Sequence, residues 1–158
     1  MTTELLGVDV GGVLIDRIRA DGSDTSFLSE RFLETPAVED AFDTLVRLGR
    51  ERFGQGICIV SKCGPRTEDK TRLWLAQHRL LDMLDLDEQA LHFCRKRPDK
   101  APICKRLGVT HFIDDRMDVL VHLTSVRYKI LFGPQDIGVN AKGAVRARTW
   151  EEVADRLL

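Results

Sequence analysis

The chain has 158 residues, 43% of them apolar and 31% charged, with 24 basic against 25 acidic side chains. That is enough chain to bury one core, and the charge is too evenly balanced for a general nucleic-acid or membrane-surface binder. No apolar run approaches the roughly 20 residues that span a bilayer, and the opening MTTELLGVDV lacks the basic flank and long apolar region of a signal peptide, so a cytoplasmic protein is expected.

The first element is ELLGVDV, a short continuous apolar run that reads as a strand. It carries Asp9 where an unpaired buried charge would be costly, and Gly11 and Gly12 follow, residues that let a backbone turn sharply and approach a ligand. Residues 16–35, DRIRADGSDTSFLSERFLET, are polar and turn-rich, long enough to read as a flap rather than a plain connection. From Pro36 to Phe53, residues Val38, Ala41, Phe42, Leu45 and Leu48 share one helical face, with Thr35 and Pro36 as the start signal. GICIVS is a second strand, ending in Ser61 with Lys62 next. TEDKTRLWLAQHRLL is helical, with Leu73, Ala76, Leu80 and Leu81 as its stripe. ALHFC is a third strand, followed by the basic run CRKRPDK with Lys96 and Lys100; DKAPICKRLG is a helix closed by Gly108. THFID is a fourth strand ending in Asp114 and Asp115, with Asp118 one turn into the helical DRMDVLVHLTSV. YKILFG is a fifth strand and AVRA a sixth at the edge. TWEEVADRLL is a last helix, with Thr149 and Glu152 at capping-box spacing.

Strands alternating with helices predict a single α/β domain over 1–158: a three-layer, Rossmann-like fold around a parallel sheet of five to six strands. Ligands in such folds sit at the carboxyl ends of the strands. That rim collects Asp9, Ser61, Lys62, Asp114, Asp115 and a lysine from the basic run. Clustered carboxylates suit a hard divalent cation such as Mg²⁺; a hydroxyl and a lysine suit phosphate oxygens; a carboxylate aimed at phosphorus can act as a nucleophile. The cysteines Cys58, Cys63, Cys94 and Cys104 form no CxxC pair, and a metal set of Cys58, His92, Cys94 and His111 is the weaker alternative. Trp74 and Trp150 read as packing residues. A receiver domain would place its acidic pair after the first strand and its acceptor aspartate after the third, the reverse of the order here.

In this motif order the chain resembles the haloacid dehalogenase-like superfamily of phosphatases and phosphotransferases. VDVGGVL resembles the first motif, ICIVS the second, KRPDKAPICKRLG the third and HFIDDRMD the fourth. The resemblance implies Asp9 as nucleophile, Ser61 as phosphate holder and Lys100, in preference to Lys96, as the third-motif lysine. It implies Mg²⁺ on Asp9, the Gly11 carbonyl and Asp114 or Asp115, with Gly12, Lys62 and Lys96 as further substrate-binding candidates. The expected activity is a Mg²⁺-dependent phosphatase-type hydrolysis through an aspartyl-phosphate, on a phosphorylated small molecule or macromolecule. The family's usual second aspartate, the general acid and base, is replaced by Gly11. Asp16, Asp21 or Asp24 could supply the proton, the substrate could need none, or the domain could be a weakly active or non-catalytic phosphate-, metal- or partner-binding relative. With a short flap in place of a large cap, the site is open enough for a large substrate or a second copy of the chain to complete it.

Overall fold

In a computed structural model, which describes residues 3–16, 27 and 29–158, the strands β1 (Leu6–Val8), β2 (Ile57–Lys62), β3 (Leu91–Cys94), β4 (His111–Asp114), β5 (Tyr128–Phe132) and β6 (Val145–Ala147) form one sheet. Its order is β3-β2-β1-β4-β5-β6, and every neighbouring pair is parallel. The expected α/β architecture is therefore present, and the edge run AVRA is its sixth strand.

Side chains that alternate along each strand divide the core into two layers. Ile57, Ile59, Ile113, Ile130 and Phe132 face a cluster that includes the helices α1 (Ala41–Leu48), α2 (Pro65–His78) and α6 (Trp150–Leu157). Cys58, Val60, Phe112 and Leu131 face the opposite cluster, closed by α4 (Lys100–Leu107) and α5 (Met117–Leu120). Gly7 lets β1 fit between them: a Cβ there would lie 2.5 Å from a ring carbon of Phe112. Trp74 and Trp150 are fully buried, their indole N–H groups donating to the carbonyls of Thr35 and Val13 at 2.8 Å each. All the cysteines are buried and free.

Three helical expectations need correction. The helix expected from Pro36 starts at Ala41, because residues 36–38 are used for pairing: Asp16 N–H donates to Pro36 O at 2.9 Å, Val38 N–H donates to Leu14 O at 2.8 Å, and Asp40 at φ 65° then breaks the run. This pairing also ties together the two ends of the 16–35 segment. In α2 the buried stripe is Thr71, Trp74 and Leu75, while Leu73 and Ala76 face solvent. The bulk of Trp74 decides that rotation. Arg79, at φ 57°, then redirects the chain so that Leu80 is buried from the separate short helix α3 (Leu80–Met83). Finally, DRMDVLVHLTSV is helical only over α5; Leu123 and Val126 are buried from turns instead. The Thr149 cap is present, its hydroxyl accepting from Glu152 N–H at 3.2 Å.

Candidate active site

The strand order places β1 beside β4 at the centre of the sheet, and their carboxyl ends open on one crevice, where such sheets bind ligands. Asp9 follows β1 directly and is tied to β4 by its N–H, which donates to Ile113 O at 3.0 Å. Asp114 is the last residue of β4 and is fully buried. Lys100 comes from the other layer as the first residue of α4, a position where its charge opposes the helix dipole. The compensation lies in the site. Its ammonium donates to Asp9 Oδ1 at 2.9 Å and to Asp114 Oδ2 at 2.8 Å, and only 2% of the side chain is exposed. Asp114 Oδ1 in turn accepts from Arg116 N–H at 3.0 Å, which fixes the carboxylate and the turn after it.

The third carboxyl, Asp115, lies against the loop that follows Asp9. That loop is wound tightly around the Val10 carbonyl, which accepts from Val13, Leu14 and Ile15 at 3.1, 2.8 and 3.1 Å. Gly12 sits at φ 79°, and a Cβ there would run into Asp115 Oδ2. Glycine is thus required at 12 both for its backbone angle and for the space that Asp115 occupies. The Gly12 N–H is already given to Ile15 O at 2.9 Å, so space rather than a donor is what Gly12 contributes.

The three carboxyls offer oxygens that all lie within 4.8 Å of one another. Burial, and then the charge of Asp9, hold Asp114 above the usual carboxylate range, and Lys100 offsets this only in part. Asp115 is raised for the same reasons, with Asp114 adding to the repulsion. Burial disfavours the charge on Lys100, but Asp9 and Asp114 outweigh it and push its pKa up. Three clustered acids thus have one buried ammonium, which meets two of them. An all-oxygen donor set with excess negative charge fits a hard divalent cation, which would take up the charge that protons otherwise neutralise.

These residues form the floor of a cavity of about 290 Å³. Ser61, buried at the end of β2, and exposed Lys62 are in its wall. Lys96 is exposed and is not among the lining residues; of the two candidate lysines, Lys100 meets the carboxylates. The wall also holds Thr67, Thr71, Arg97 and Arg116, which sequence reasoning passed over. Arg116 is adjacent to the acidic pair, a signal that was available; the threonines belong to a helix face set by Trp74. Asp118, expected as a first-turn acid, is in the first turn of α5 and pairs with Arg116. Among the described residues, Cys58, His92, Cys94 and His111 form no metal-holding group. Of the 16–35 segment, Phe27 is buried and lines the cavity, and residues 29–35 are anchored on α2 through Lys70, Trp74 and Gln77. Asp21 and Asp24 lie outside the described residues.

No protein-family model matches the chain. It is 26% identical over 121 residues to a curated protein of Oceanobacillus iheyensis named "Putative nucleotidase"; the match takes in 77% of this chain but only 61% of the relative's length. Among solved structures, a dehalogenase with an intermediate complex superposes with a TM-score of 0.69 at 15% identity, over 99% of this chain and 97% of the other. A haloacid dehalogenase (HAD) hydrolase of family IA, variant 3, from Entamoeba histolytica gives 0.63 at 15% identity, over 98% and 99%. A HAD family hydrolase from Deinococcus radiodurans, solved with bound phosphate and sodium, gives 0.57 at 17% identity, over 96% and 93%. This chain has the haloacid dehalogenase-like fold that its sequence motifs resemble.

Proposed function

We propose that the chain is a Mg²⁺-dependent phosphomonoester hydrolase that works through an aspartyl-phosphate on Asp9. The observation that carries this reading is the convergence of Asp9, Asp114 and Asp115 at the carboxyl ends of β1 and β4, with the buried Lys100 ammonium bonded to Asp9 and Asp114. Asp9, the Gly11 backbone carbonyl and Asp114 or Asp115 would hold Mg²⁺, which when bound supplies positive charge to the carboxylates and to phosphate oxygens.

In the first step a carboxylate oxygen of Asp9 bonds to phosphorus as the bond from phosphorus to the leaving oxygen breaks. Lys100 holds the other Asp9 oxygen in register and faces the phosphoryl group as its charge redistributes. Ser61 and Lys62 bind phosphoryl oxygens from the β2 side. In the second step water attacks phosphorus and gives its proton to solvent as the bond from phosphorus to Asp9 breaks, freeing phosphate and the Asp9 carboxylate. Gly11 brings no side chain to accept or donate that proton, so the reading favours substrates whose leaving oxygen departs without an acid. The described part of the cavity suits a phosphorylated small molecule, and the relative's name adds nucleoside monophosphates to the panel worth trying.

Turnover of p-nitrophenyl phosphate, sugar phosphates and nucleoside monophosphates with Mg²⁺ tests the proposal. Activity that requires the metal and disappears in Asp9→Asn is expected. Activity that survives this substitution removes Asp9 as nucleophile. Gly11 is the one feature that favours a second reading, a non-catalytic domain that keeps the phosphate and metal pocket; no metal-dependent turnover anywhere on the panel would support it.

A further inference from the structure

The floor of the cavity is acidic, but its mouth is not. The lining holds Lys62, Arg97, Lys100 and Arg116 against Asp9, Asp114 and Asp115. Lys100 is consumed at the floor. Arg97 and Arg116 stand at the mouth, their side chains 41% and 50% exposed. They come from different connections, Arg97 from the turn after β3 and Arg116 from the turn after β4, yet one carboxylate gathers them. Asp118 accepts from Arg116 Nε at 3.0 Å and from a terminal nitrogen of the same guanidinium at 3.1 Å, and lies 3.6 Å from a terminal nitrogen of Arg97. Ion pairs this exposed contribute little to fold stability. What the arrangement does is hold two guanidiniums on the lip of the cavity with a net positive charge, and with fork-shaped donors left over beyond those that Asp118 takes.

We propose that Arg97 and Arg116, clasped by Asp118, form a second anion subsite that selects phosphomonoesters carrying a further negative group on the leaving portion. This rests on the phosphohydrolase reading above for its orientation: a phosphoryl group seated at Asp9 and Lys100 on the buried floor must direct its leaving group outward, past the two arginines. The recognised chemistry is an anionic oxygen cluster, either a second phosphate or a carboxylate. Guanidiniums pair with both in a forked manner, and pre-positioning by Asp118 lowers the ordering needed on binding.

The test compares matched aryl phosphates, whose phenolate departs without an acid, with Mg²⁺ at low salt: 1,4-phenylene bisphosphate against phenyl phosphate for a second phosphate, and 4-carboxyphenyl phosphate against phenyl phosphate for a carboxylate. The wild-type protein should favour the doubly anionic member of at least one pair by roughly 10-fold in kcat/KM, mostly through KM. The pair that shows the preference identifies the source. In the double variant Arg97→Gln, Arg116→Gln the ratio should fall to about 1 because the loss is concentrated on the doubly anionic substrate. A wild-type ratio near 1 for both pairs, a ratio unchanged by the double substitution, or an equal loss on both members each overturns the subsite. If nothing is turned over, calorimetric binding of the same pairs with Mg²⁺ decides. A preference lost in the double variant keeps the subsite and removes only the phosphohydrolase reading; equal affinities remove the subsite.

Discussion

Replacing Lys100 with Met keeps the length of the side chain and removes the one buried ammonium between Asp9 and Asp114, which it meets at 2.9 and 2.8 Å. With 2% of the lysine and none of Asp114 exposed to solvent, water cannot take over. Breaking a buried pair from one side typically costs about 3–5 kcal/mol, because the charge left behind is uncompensated. The upper half applies here, since two carboxylates lose the same partner. The penalty has a pH signature. Asp114 is already raised in the folded protein by burial and then by Asp9, and losing the ammonium raises it further. A carboxyl whose folded pKa lies above its unfolded value of 3.8 binds its proton more tightly when folded. Stability therefore falls as pH rises through the window between those two values. In wild type that fall ends near pH 7, where Asp114 ionises beside Lys100; in the variant it continues to higher pH, so urea unfolding of the metal-free variant should show a deficit that widens above about pH 7, and saturating Mg²⁺ should restore part of it. Lys100→Arg, which keeps the charge in a larger shape, should lose less. A metal-free Lys100→Met protein as stable as wild type at about pH 8.5, or one with the same deficit at about pH 6 and pH 8.5, would refute the electrostatic account of the site.

The remaining predictions concern glycines. If a missing acid limits the reaction, Gly11→Asp should raise turnover most for poor leaving groups, within the roughly 10²–10⁴-fold that general acid–base catalysis supplies; steady-state rates across a series of aryl and alkyl phosphates check this, and an equal change along the series counts against it. Gly7→Val should lower stability by about 1–3 kcal/mol through overpacking, because even a Cβ would meet the Phe112 ring at 2.5 Å. Chemical denaturation measures the effect, and pairing the change with Phe112→Leu should recover part of it.

How far the site can be read from the chain depends on which physical signal each part carries. The central strands were legible as short apolar runs, and the polar residues at the ends of β1, β2 and β4 deliver Asp9, Ser61 and Asp114 to one rim. The helix after the flap was not, because Pro36 and Thr35 mimic a helix start while residues 36–38 are engaged in pairing with residues 14–16. Local propensity cannot register a partner that lies some twenty residues back. The stripe of α2 is hidden from the sequence for a related reason: its leucines look alike there, although one buried indole with a carbonyl partner fixes the rotation of the whole helix.

Lys96 and Lys100 show where composition stops and geometry begins. Both stand in the same basic run, and the sequence separates them only in that Lys100 opens the helix leading into the next strand. The separation comes from α4, whose first residue is carried toward the crevice although the helix dipole disfavours a cation there. Gly11 and Gly12 divide in the same way. Gly12 answers to backbone angle and to the space taken by Asp115, both structural demands. The absence of a carboxylate at 11 answers to chemistry, and so to the leaving group. An arginine pair at the mouth and a missing acid beside the floor then point to the same end of the substrate. On the proposed reading, the portion that departs is the part the two arginines select by charge, and the part to which position 11 offers no proton.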